Sequence, residues 1–250
     1  MQQQNVALKV VNARKAFSGI HAVAGVTLEV PAGQRRGIIG PNGAGKTTLF
    51  NLITGTLAMD SGTITLFGLD VSRRPVHHRA NLGLGRTYQI TNLFLDLTVE
   101  ENLVLAANPR KLADFFIPWR NHRSVRLRAS EVAEQVALAD KLETPVRDLS
   151  HGEQRQLELG MALAPQPRLI MMDEPAAGLS PTERHHIVSL IGGLDRNITI
   201  LLVEHNMEVV LGLTDVVTVM HQGQVIAEGT PAAISQEKAV QDIYMGTLEA

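Results

Sequence analysis

Short apolar runs alternate with amphipathic stretches along most of the 250-residue chain. The runs are typical of strands and lie at 6–11, 26–30, 36–39, 63–67, 169–172, 199–203 and 216–220. A turn that contains Gly19 and Gly25 is predicted between the first two strands. The amphipathic stretches predict helices at 46–53, 99–107, 125–142 and 154–163. Apolar strands that alternate with helices indicate an α/β fold, in which both faces of a mostly parallel sheet are covered.

The central part of the sequence has a different character. Between about Arg86 and Ser150 the strand signals stop and the pattern predicts helices. Residues 108–123 include Pro109, Pro118 and several basic side chains, and we expect an irregular insertion there. The sequence therefore predicts a core formed by residues 1–85 and 155–250, into which a helical lobe of residues 86–154 is inserted.

Composition narrows the classes of function. A formal net charge of -2 argues against a surface that mainly holds nucleic acid, and the lack of cysteine excludes disulfides and thiolate metal sites. Apolar stretches such as 198–203 are far shorter than the ~20 residues that span a bilayer, and the polar start does not resemble a signal peptide. We therefore expect a cytoplasmic chain that reaches a membrane only by docking on an integral partner.

A glycine-rich loop follows the strand at 36–39 and precedes a predicted helix. Its sequence, GPNGAGKT at 40–47, matches the phosphate-loop pattern GxxxxGK[ST]. Because such loops turn backbone N–H groups towards phosphates at a helix N-terminus, we expect Lys46 to reach the β- and γ-phosphates of a nucleotide and Thr47 to bind Mg²⁺. The predicted phosphate-binding residues are Gly40, Pro41, Asn42, Gly43, Ala44, Gly45, Lys46, Thr47 and Thr48. The alternative is a glycine-rich turn that contains a lysine by chance, which the flanking strand and helix disfavour.

Two adjacent acids, Asp173 and Glu174, follow the apolar strand at 169–172. Ligands of α/β proteins lie at the carboxyl ends of the strands, so we expect both carboxylates beside the phosphates. Asp173 is assigned to Mg²⁺, which it would hold directly or through water, and Glu174 is assigned as the general base for the attacking water. Alone, such a pair would be read as solvated loop residues, and the phosphate loop upstream favours the catalytic interpretation.

A further anion site is predicted where the segment LSHGEQ, at 149–154, opens a helix. The hydroxyl of Ser150 and the amide of Gly152 would both point at the helix N-terminus, where phosphate binds. Two phosphate-binding ends in one chain suggest a dimer in which each nucleotide lies between two chains. The alternative is purely structural, with Ser150 as the N-cap of the helix and Glu153 completing a capping box.

Together these motifs resemble the ATP-binding cassette (ABC) ATPases, over nearly the whole chain. The phosphate loop, Gln89, Ser150–Glu153, Asp173–Glu174 and His205 occur in the order and approximate spacing of that family. The resemblance implies a P-loop nucleotide-hydrolase core with a mostly parallel sheet, an N-terminal antiparallel β subdomain and an inserted α-helical lobe. It also implies ATP and Mg²⁺ as cofactors, and hydrolysis of ATP to ADP and phosphate.

The resemblance assigns roles to further residues. Phe17 matches the aromatic residue that stacks on adenine, the alternative being a core phenylalanine. Gln89 matches the glutamine that contacts Mg²⁺ or water and links the lobe to the transport partner. Ser180 matches the loop that crosses to the opposite chain. His205 matches the switch histidine at the γ-phosphate, the alternative being a solvated surface histidine.

The chain departs from the family in its signature segment. The usual sequence is LSGGQ, whereas here His151 replaces a glycine and Glu153 replaces the glutamine. The expected phosphate contacts, Ser150 and Gly152, are both retained. An acidic side chain near a helix N-terminus is tolerated by the helix dipole, so the departure need not abolish activity.

Several local sequences resemble one branch of the family, the ATPases of branched-chain, hydrophobic amino acid uptake systems. They include GRTYQ at 85–89, LTVEEN at 97–102, DEPAAGL at 173–179 and IYMG at 243–246. This resemblance implies a second ATPase chain, identical or paralogous, in a head-to-tail dimer. It further implies integral membrane permease subunits, an indirect periplasmic or extracellular binding protein, a location on the inner face of the cell membrane, and no nucleic-acid partner.

Three other classes of function stay open on the sequence. A P-loop kinase would need an acceptor site and a lid, but neither the LSHGE segment nor Glu174. ABC proteins that act on DNA or ribosomes usually carry long coiled-coil insertions or two cassettes in one chain. A degenerate nucleotide-binding scaffold is suggested by the altered signature, and a phosphate-release assay would distinguish it from an ATPase.

Overall fold

The structure is a computed structural model that describes residues 5–87, 93–107, 123–238 and 240. Gln89, the segment 243–246 and most of the predicted insertion lie outside these ranges. The strands are β1 (Val6–Phe17), β2 (Ile20–Pro31), β3 (Arg35–Ile39), β4 (Ser61–Leu66), β5 (Leu69–Asp70), β6 (Leu84–Arg86), β7 (Leu169–Asp173), β8 (Thr199–Val203), β9 (Val216–His221) and β10 (Gln224–Gly229). The helices are α1 (Lys46–Thr54), α2 (Val76–Asn81), α3 (Val99–Ala107), α4 (Arg123–Gln135), α5 (His151–Leu163), α6 (Pro181–Gly193), α7 (Met207–Leu213) and α8 (Pro231–Gln236).

The chain divides into two compact units. The core unit comprises the described residues of Met1–Leu84, Arg168–Glu174 and Asp195–Ala250, and the helical unit those of Gly85–Pro167 and Pro175–Leu194. The helical unit thus takes in more of the chain than the predicted lobe at 86–154. The reason is packing, because α5 lies against α3 and α4 and also contacts α6.

The principal sheet has the strand order β10-β9-β3-β8-β7-β6. Strand β3 is parallel to both β8 and β9, β7 is parallel to β8, and β10 is antiparallel to β9. Every residue of β3, β7 and β8 is buried, as expected for strands covered on both faces. This confirms the mostly parallel α/β fold, and it brings the carboxyl ends of β3, β8 and β7 to one edge.

A second sheet, of order β2-β1-β4-β5, is antiparallel throughout. It confirms the expected N-terminal antiparallel subdomain, but β1 and β2 are longer than the predicted strands at 6–11 and 26–30. The prediction that Gly25 lies in the intervening turn was wrong, because only Ser18 and Gly19 separate the two strands. Irregularities in the β1–β2 register let both strands continue where the sequence had suggested a turn.

The predicted helix at 125–142 was also too long. Helix α4 ends at Gln135, since Ala137 has a φ of 56°, which no α-helix can include. A single 3₁₀ turn, Ala139–Lys141, follows it. Val132 and Val136 are buried, whereas Leu127 faces solvent. Among the described residues, no helix combines the length and apolarity needed to cross a bilayer.

Candidate functional site

The glycine-rich loop lies in the core unit, between β3 and α1. Two of its glycines are required by close backbone contacts. A Cβ on Gly40 would come 2.1 Å from the carbonyl oxygen of Met220, and one on Gly45 would come 2.1 Å from that of Ala22. Gly45 also has a φ of 94° and is the N-cap of α1, where no described side chain caps the helix. The first amides of α1 are therefore left to an external anion.

Lys46 is held inside this loop. Its side chain is buried, and Nζ donates to the carbonyl oxygens of Gly40 at 2.7 Å and Pro41 at 2.9 Å. An ammonium group has three donors, so one N–H is left for a phosphate oxygen. Burial lowers the pKa of Lys46, and the charges of Glu174 and then Asp173 act in the opposite direction. Lys46 and the two acids therefore form one electrostatic cluster.

The other residues of the loop differ in their exposure to solvent. Ala44 is buried, and its carbonyl oxygen accepts from the N–H of Gly223 at 3.0 Å, which ties the loop to the β9–β10 turn. Asn42, Gly43 and Thr47 are exposed, whereas Pro41 and Thr48 are half-buried. The exposed residues thus form the surface on which phosphates would lie.

The two acids lie where β7 ends. Asp173 is buried and pairs in register with Val203 of β8. Glu174 has a φ of 48° and donates its N–H to the carbonyl oxygen of Val203 at 2.9 Å. A left-handed backbone at a residue other than glycine is strained, and such strain persists at functional sites when the surroundings impose it.

His205 follows β8, and its Nδ1 lies 3.2 Å from Oε1 of Glu174. The imidazole is largely exposed, with 60% of its side-chain surface accessible. Glu204, just before it, is buried, and its Oε2 accepts from the N–H of His205 at 3.1 Å and of Asn206 at 3.3 Å. Glu204 belongs to no motif predicted from the sequence, and its hydrogen bonds order the loop that carries the histidine.

A divalent cation fits the oxygen atoms at this edge. Thr47 presents a hydroxyl in the first turn of α1, and Asp173 a carboxylate at the end of β7. The described residues include no group of three or more histidines and acids that could hold a metal without further ligands. Mg²⁺ usually takes one or two protein carboxylates together with substrate phosphates, and this set of donors suits it. Gln89, the third predicted ligand, lies outside the described part of the chain.

Phe17 is the last residue of β1, and 46% of its surface is exposed. That exposure excludes the alternative of a core phenylalanine. The ammonium group of Lys15 lies 5.5 Å from the centroid of the ring. The ring is therefore accessible to solvent at the end of β1, in the antiparallel sheet.

The N-terminus of α5, in the helical unit, is satisfied by the chain's own side chains. The N–H of Glu153 donates to Oγ of Ser150 at 3.3 Å, and the N–H of Ser150 donates to Oε2 of Glu153 at 2.8 Å. The predicted capping box is therefore present. Glu153 also pairs with Lys141, and this contact, followed by the bonds to Ser150, lowers the pKa of Glu153.

Glu183 also reaches the N-terminus of α5. The N–H of Gly152 donates to its Oε1 at 3.1 Å. Its other oxygen accepts from the N–H of Ser180 at 3.0 Å and from Oγ at 2.6 Å, and these bonds lower the pKa of Glu183. Neither Glu183 nor Lys141 belongs to a motif from which the site was predicted. The only signal for Glu183 was the spacing SPTE at 180–183, which is typical of a capping box.

A mostly parallel sheet, a glycine-rich loop that opens α1, and acids at the neighbouring strand ends define a P-loop nucleotide-binding protein. Residues 23–177 match the protein family described as "ABC transporter". The matched segment covers more than half of the chain and contains the loop, the α5 N-terminus and both acids. The chain therefore belongs to the ABC transporter family, as one of its nucleotide-binding ATPases.

Relatives match over almost their whole length. The chain is 38% identical over 248 residues to the high-affinity branched-chain amino acid transport ATP-binding protein BraF of Pseudomonas aeruginosa, with 96% of this chain and 97% of that protein covered. It is 38% identical over 239 residues to LivG of Escherichia coli, which has the same description, with 92% and 94% covered. A crystal structure of an ATP-binding cassette of an ABC transporter in its ADP conformation superposes with a TM-score of 0.86 at 32% identity, covering 96% and 99% of the two chains.

Proposed function

We propose that this chain is the ATP-hydrolysing subunit of an ABC importer for branched-chain or related hydrophobic amino acids. The observation that carries the enzymatic part is the Glu174–His205 contact of 3.2 Å, at a strand edge whose acids act electrostatically on Lys46. The names of the relatives BraF and LivG support the cargo class. The chain itself would not contact the cargo.

ATP would bind with its phosphates on the loop and its adenine on Phe17. Lys46 and the exposed amides at the start of α1 would hold the β- and γ-phosphate oxygens. Thr47, Asp173 and Gln89 would hold Mg²⁺, which when bound neutralises charge on the phosphates. Nine-tenths of Lys46 is already enclosed, so little conformational freedom is lost when ATP binds.

Glu174 would then act on the attacking water. Its carboxylate accepts a proton as the water oxygen bonds to the γ-phosphorus, and the bond to the β,γ-bridging oxygen breaks. The products are ADP and inorganic phosphate, and the proton on Glu174 returns to solvent. His205 would position the Glu174 carboxylate through Nδ1 and contact the γ-phosphate with its other ring nitrogen.

Coupling to transport would require a second ATPase chain, identical or paralogous, in a head-to-tail dimer. Ser150 and Gly152 of each chain would contact the nucleotide held by the other chain's loop. Because ATP would bind more tightly to the closed dimer than to the open one, ATP binding would drive closure of the dimer. Closure would move integral membrane permeases on the inner face of the cell membrane, served on the far side by a binding protein.

The test of this proposal has two parts. Purified chain is assayed for phosphate release from ATP, and cells from which its gene is deleted are assayed for uptake of radiolabelled leucine. We expect release that depends on Glu174, and uptake restored by the wild-type gene but not by Glu174→Gln. If the purified chain releases phosphate but deletion of its gene leaves leucine uptake unchanged, the proposed amino acid cargo is wrong and the proposed ATPase activity stands.

A further inference from the structure

An ion pair between Lys15 and Asp60 lies beside the ring of Phe17. Nζ of Lys15 lies 2.7 Å from Oδ1 of Asp60, and the same ammonium lies 5.5 Å from the centroid of the Phe17 ring. Only 15% of the Lys15 side-chain surface is accessible, so the cation is held between the carboxylate and the ring. The chemistry described so far uses neither of these charged residues.

Asp60 also fixes the backbone next to the ring. Its Oδ2 accepts from the N–H of Ala16 at 2.7 Å, and its own N–H donates to the carbonyl oxygen of Arg14 at 3.0 Å. Asp60 precedes β4, which pairs with β1, so these bonds attach three consecutive residues before Phe17 to the next strand. The bonds to Lys15 and Ala16 lower the pKa of Asp60, which keeps the carboxylate charged.

We propose that Lys15 and Asp60 are positioning residues for the nucleobase, and that together they hold the Phe17 ring in the orientation that stacks on adenine. The cation occupies one face of the ring, where the ring quadrupole attracts it. The opposite face is then the one available to a purine. This inference rests on the proposed role of Phe17 in binding ATP.

The arrangement separates recognition of the base from recognition of the phosphates. The Lys15–Asp60 pair lies in the antiparallel sheet, and the phosphates would lie on the loop that opens α1. Replacing either residue of the pair should weaken the binding of ligands that carry a base. The binding of ligands without a base should stay unchanged. Inorganic tripolyphosphate is such a ligand, since it has the triphosphate of ATP and no nucleoside.

The experiment measures dissociation constants of ATP and of tripolyphosphate by calorimetry. The variants are Lys15→Met, which keeps the length of the stem and removes the charge, Asp60→Asn and the conservative Lys15→Arg. We expect Lys15→Met and Asp60→Asn to weaken ATP binding about threefold while tripolyphosphate binding stays the same. Lys15→Arg should restore the affinity for ATP. Equal losses for both ligands would overturn the proposal, because they would indicate general damage to the fold.

Lys9→Met is the matched control. Lys9 lies on the same strand and pairs with Glu29 at 2.8 Å, so its replacement removes a more exposed lysine–carboxylate pair away from the ring. Both affinities should stay at the wild-type value in this variant. An equal weakening of ATP binding by Lys9→Met would likewise sink the positioning role.

Phe17→Ala separates failure of the pair from failure of its premise. We expect it to weaken ATP binding about tenfold, since base stacking on an aromatic ring is lost. Adding Lys15→Met to Phe17→Ala should then cost nothing more, because the two residues act as one unit. If Phe17→Ala alone leaves ATP affinity unchanged, the adenine platform is wrong and the inference falls with it. If Phe17→Ala weakens ATP but Lys15→Met does not, only the inference is wrong.

Discussion

Helices α1 and α5 begin with the same chemical groups, the first backbone N–H groups of a helix, but surround them differently. At α1 the N-cap is Gly45 in a left-handed conformation, and no described side chain caps the helix. At α5 the N-cap is Ser150, and carboxylates of Glu153 and Glu183 accept from N–H groups at the helix start. One helix end is left for an external anion, whereas the other already holds two anionic groups of its own.

The difference teaches how two helix starts whose sequences both predict phosphate binding can serve unequal roles. Helix α1 begins at Lys46. The backbone around its N-cap is so tightly packed that no larger residue fits at Gly45. A phosphate at the α5 end would have to replace Glu183 as the acceptor of the Gly152 N–H. On the proposed function, the first end binds ATP in the single chain, and the second closes on it from a partner.

The largest effect is expected from removing the proposed general base of ATP hydrolysis. Glu174→Gln should lower phosphate release by about 10²–10⁴-fold, because an amide cannot accept the proton of the attacking water. ATP should still bind, since Lys46 and the loop are unchanged. Glu208→Gln, an exposed acid in the first turn of α7, is the control and should hydrolyse normally. Turnover at the wild-type rate by Glu174→Gln would refute its assignment as the base.

The second prediction tests the packing of the α1 end itself. Gly45→Ala places a Cβ 2.1 Å from a backbone oxygen, so the loop must move by about an ångström, and ATP affinity should fall about 100-fold. Gly68→Ala is the matched control, because Gly68 also has a positive φ, of 84°, but a Cβ there would meet nothing within 4 Å. Calorimetric titration with ATP distinguishes them. Similar affinities in the two variants would show that the close contact does not matter.

The third prediction concerns the other end of α1. Arg79 is buried and donates to the carbonyl oxygens of Leu52 at 2.7 Å and Ile53 at 2.6 Å, where a cation also complements the helix dipole. Arg79→Leu should lower the free energy of unfolding by about 3 kcal/mol, since buried acceptors lose their donors. The exposed Arg73→Leu should change it little. Urea unfolding measures both, and equal midpoints would mean that water replaces the guanidinium at no cost.

The smallest expected effect is on stability, and it concerns the capped N-terminus of α5. Contact with Lys141 and Ser150 lowers the pKa of Glu153, so the ionised carboxylate stabilises the fold above its unfolded pKa of about 4.3. That contribution is lost as the pH falls through the still lower folded pKa. The stability difference between wild type and Lys141→Gln should therefore be positive at neutral pH and vanish in acid. Glu131→Gln, which removes an exposed pair with Arg128, is a suitable comparison. A difference independent of pH would contradict the assignment.

Much of the site was predictable because its motifs are contiguous. Lys46, Asp173 and Glu174 each follow an apolar strand, and the strand ends of a parallel sheet meet at one edge. The same logic placed the loop before α1, although β3 and β7 each proved one residue longer than predicted. Gly25 was misread as part of a turn, since a glycine in a bulged strand and a glycine in a turn look alike in sequence.

The remaining contacts join residues that are distant in the chain. Asp60 is 45 positions from Lys15, and Glu183 is 31 positions from Gly152. No periodicity or local motif links such positions. Glu153, which departs from the family signature, completes the predicted capping box and also pairs with Lys141.

The sequence by itself determined the family, the α/β class, and the order of the groups that would meet phosphate and water, because these depend on local patterns and on the rule for parallel strand ends. Only the tertiary structure decided the surroundings of those groups: the backbone oxygens that require Gly40 and Gly45, the carboxylate of Glu183 at the start of α5, and the Lys15–Asp60 ion pair beside Phe17. The physical reason is that hydrogen bonds and close packing depend on distances in space, which residues far apart in the chain acquire only when it folds.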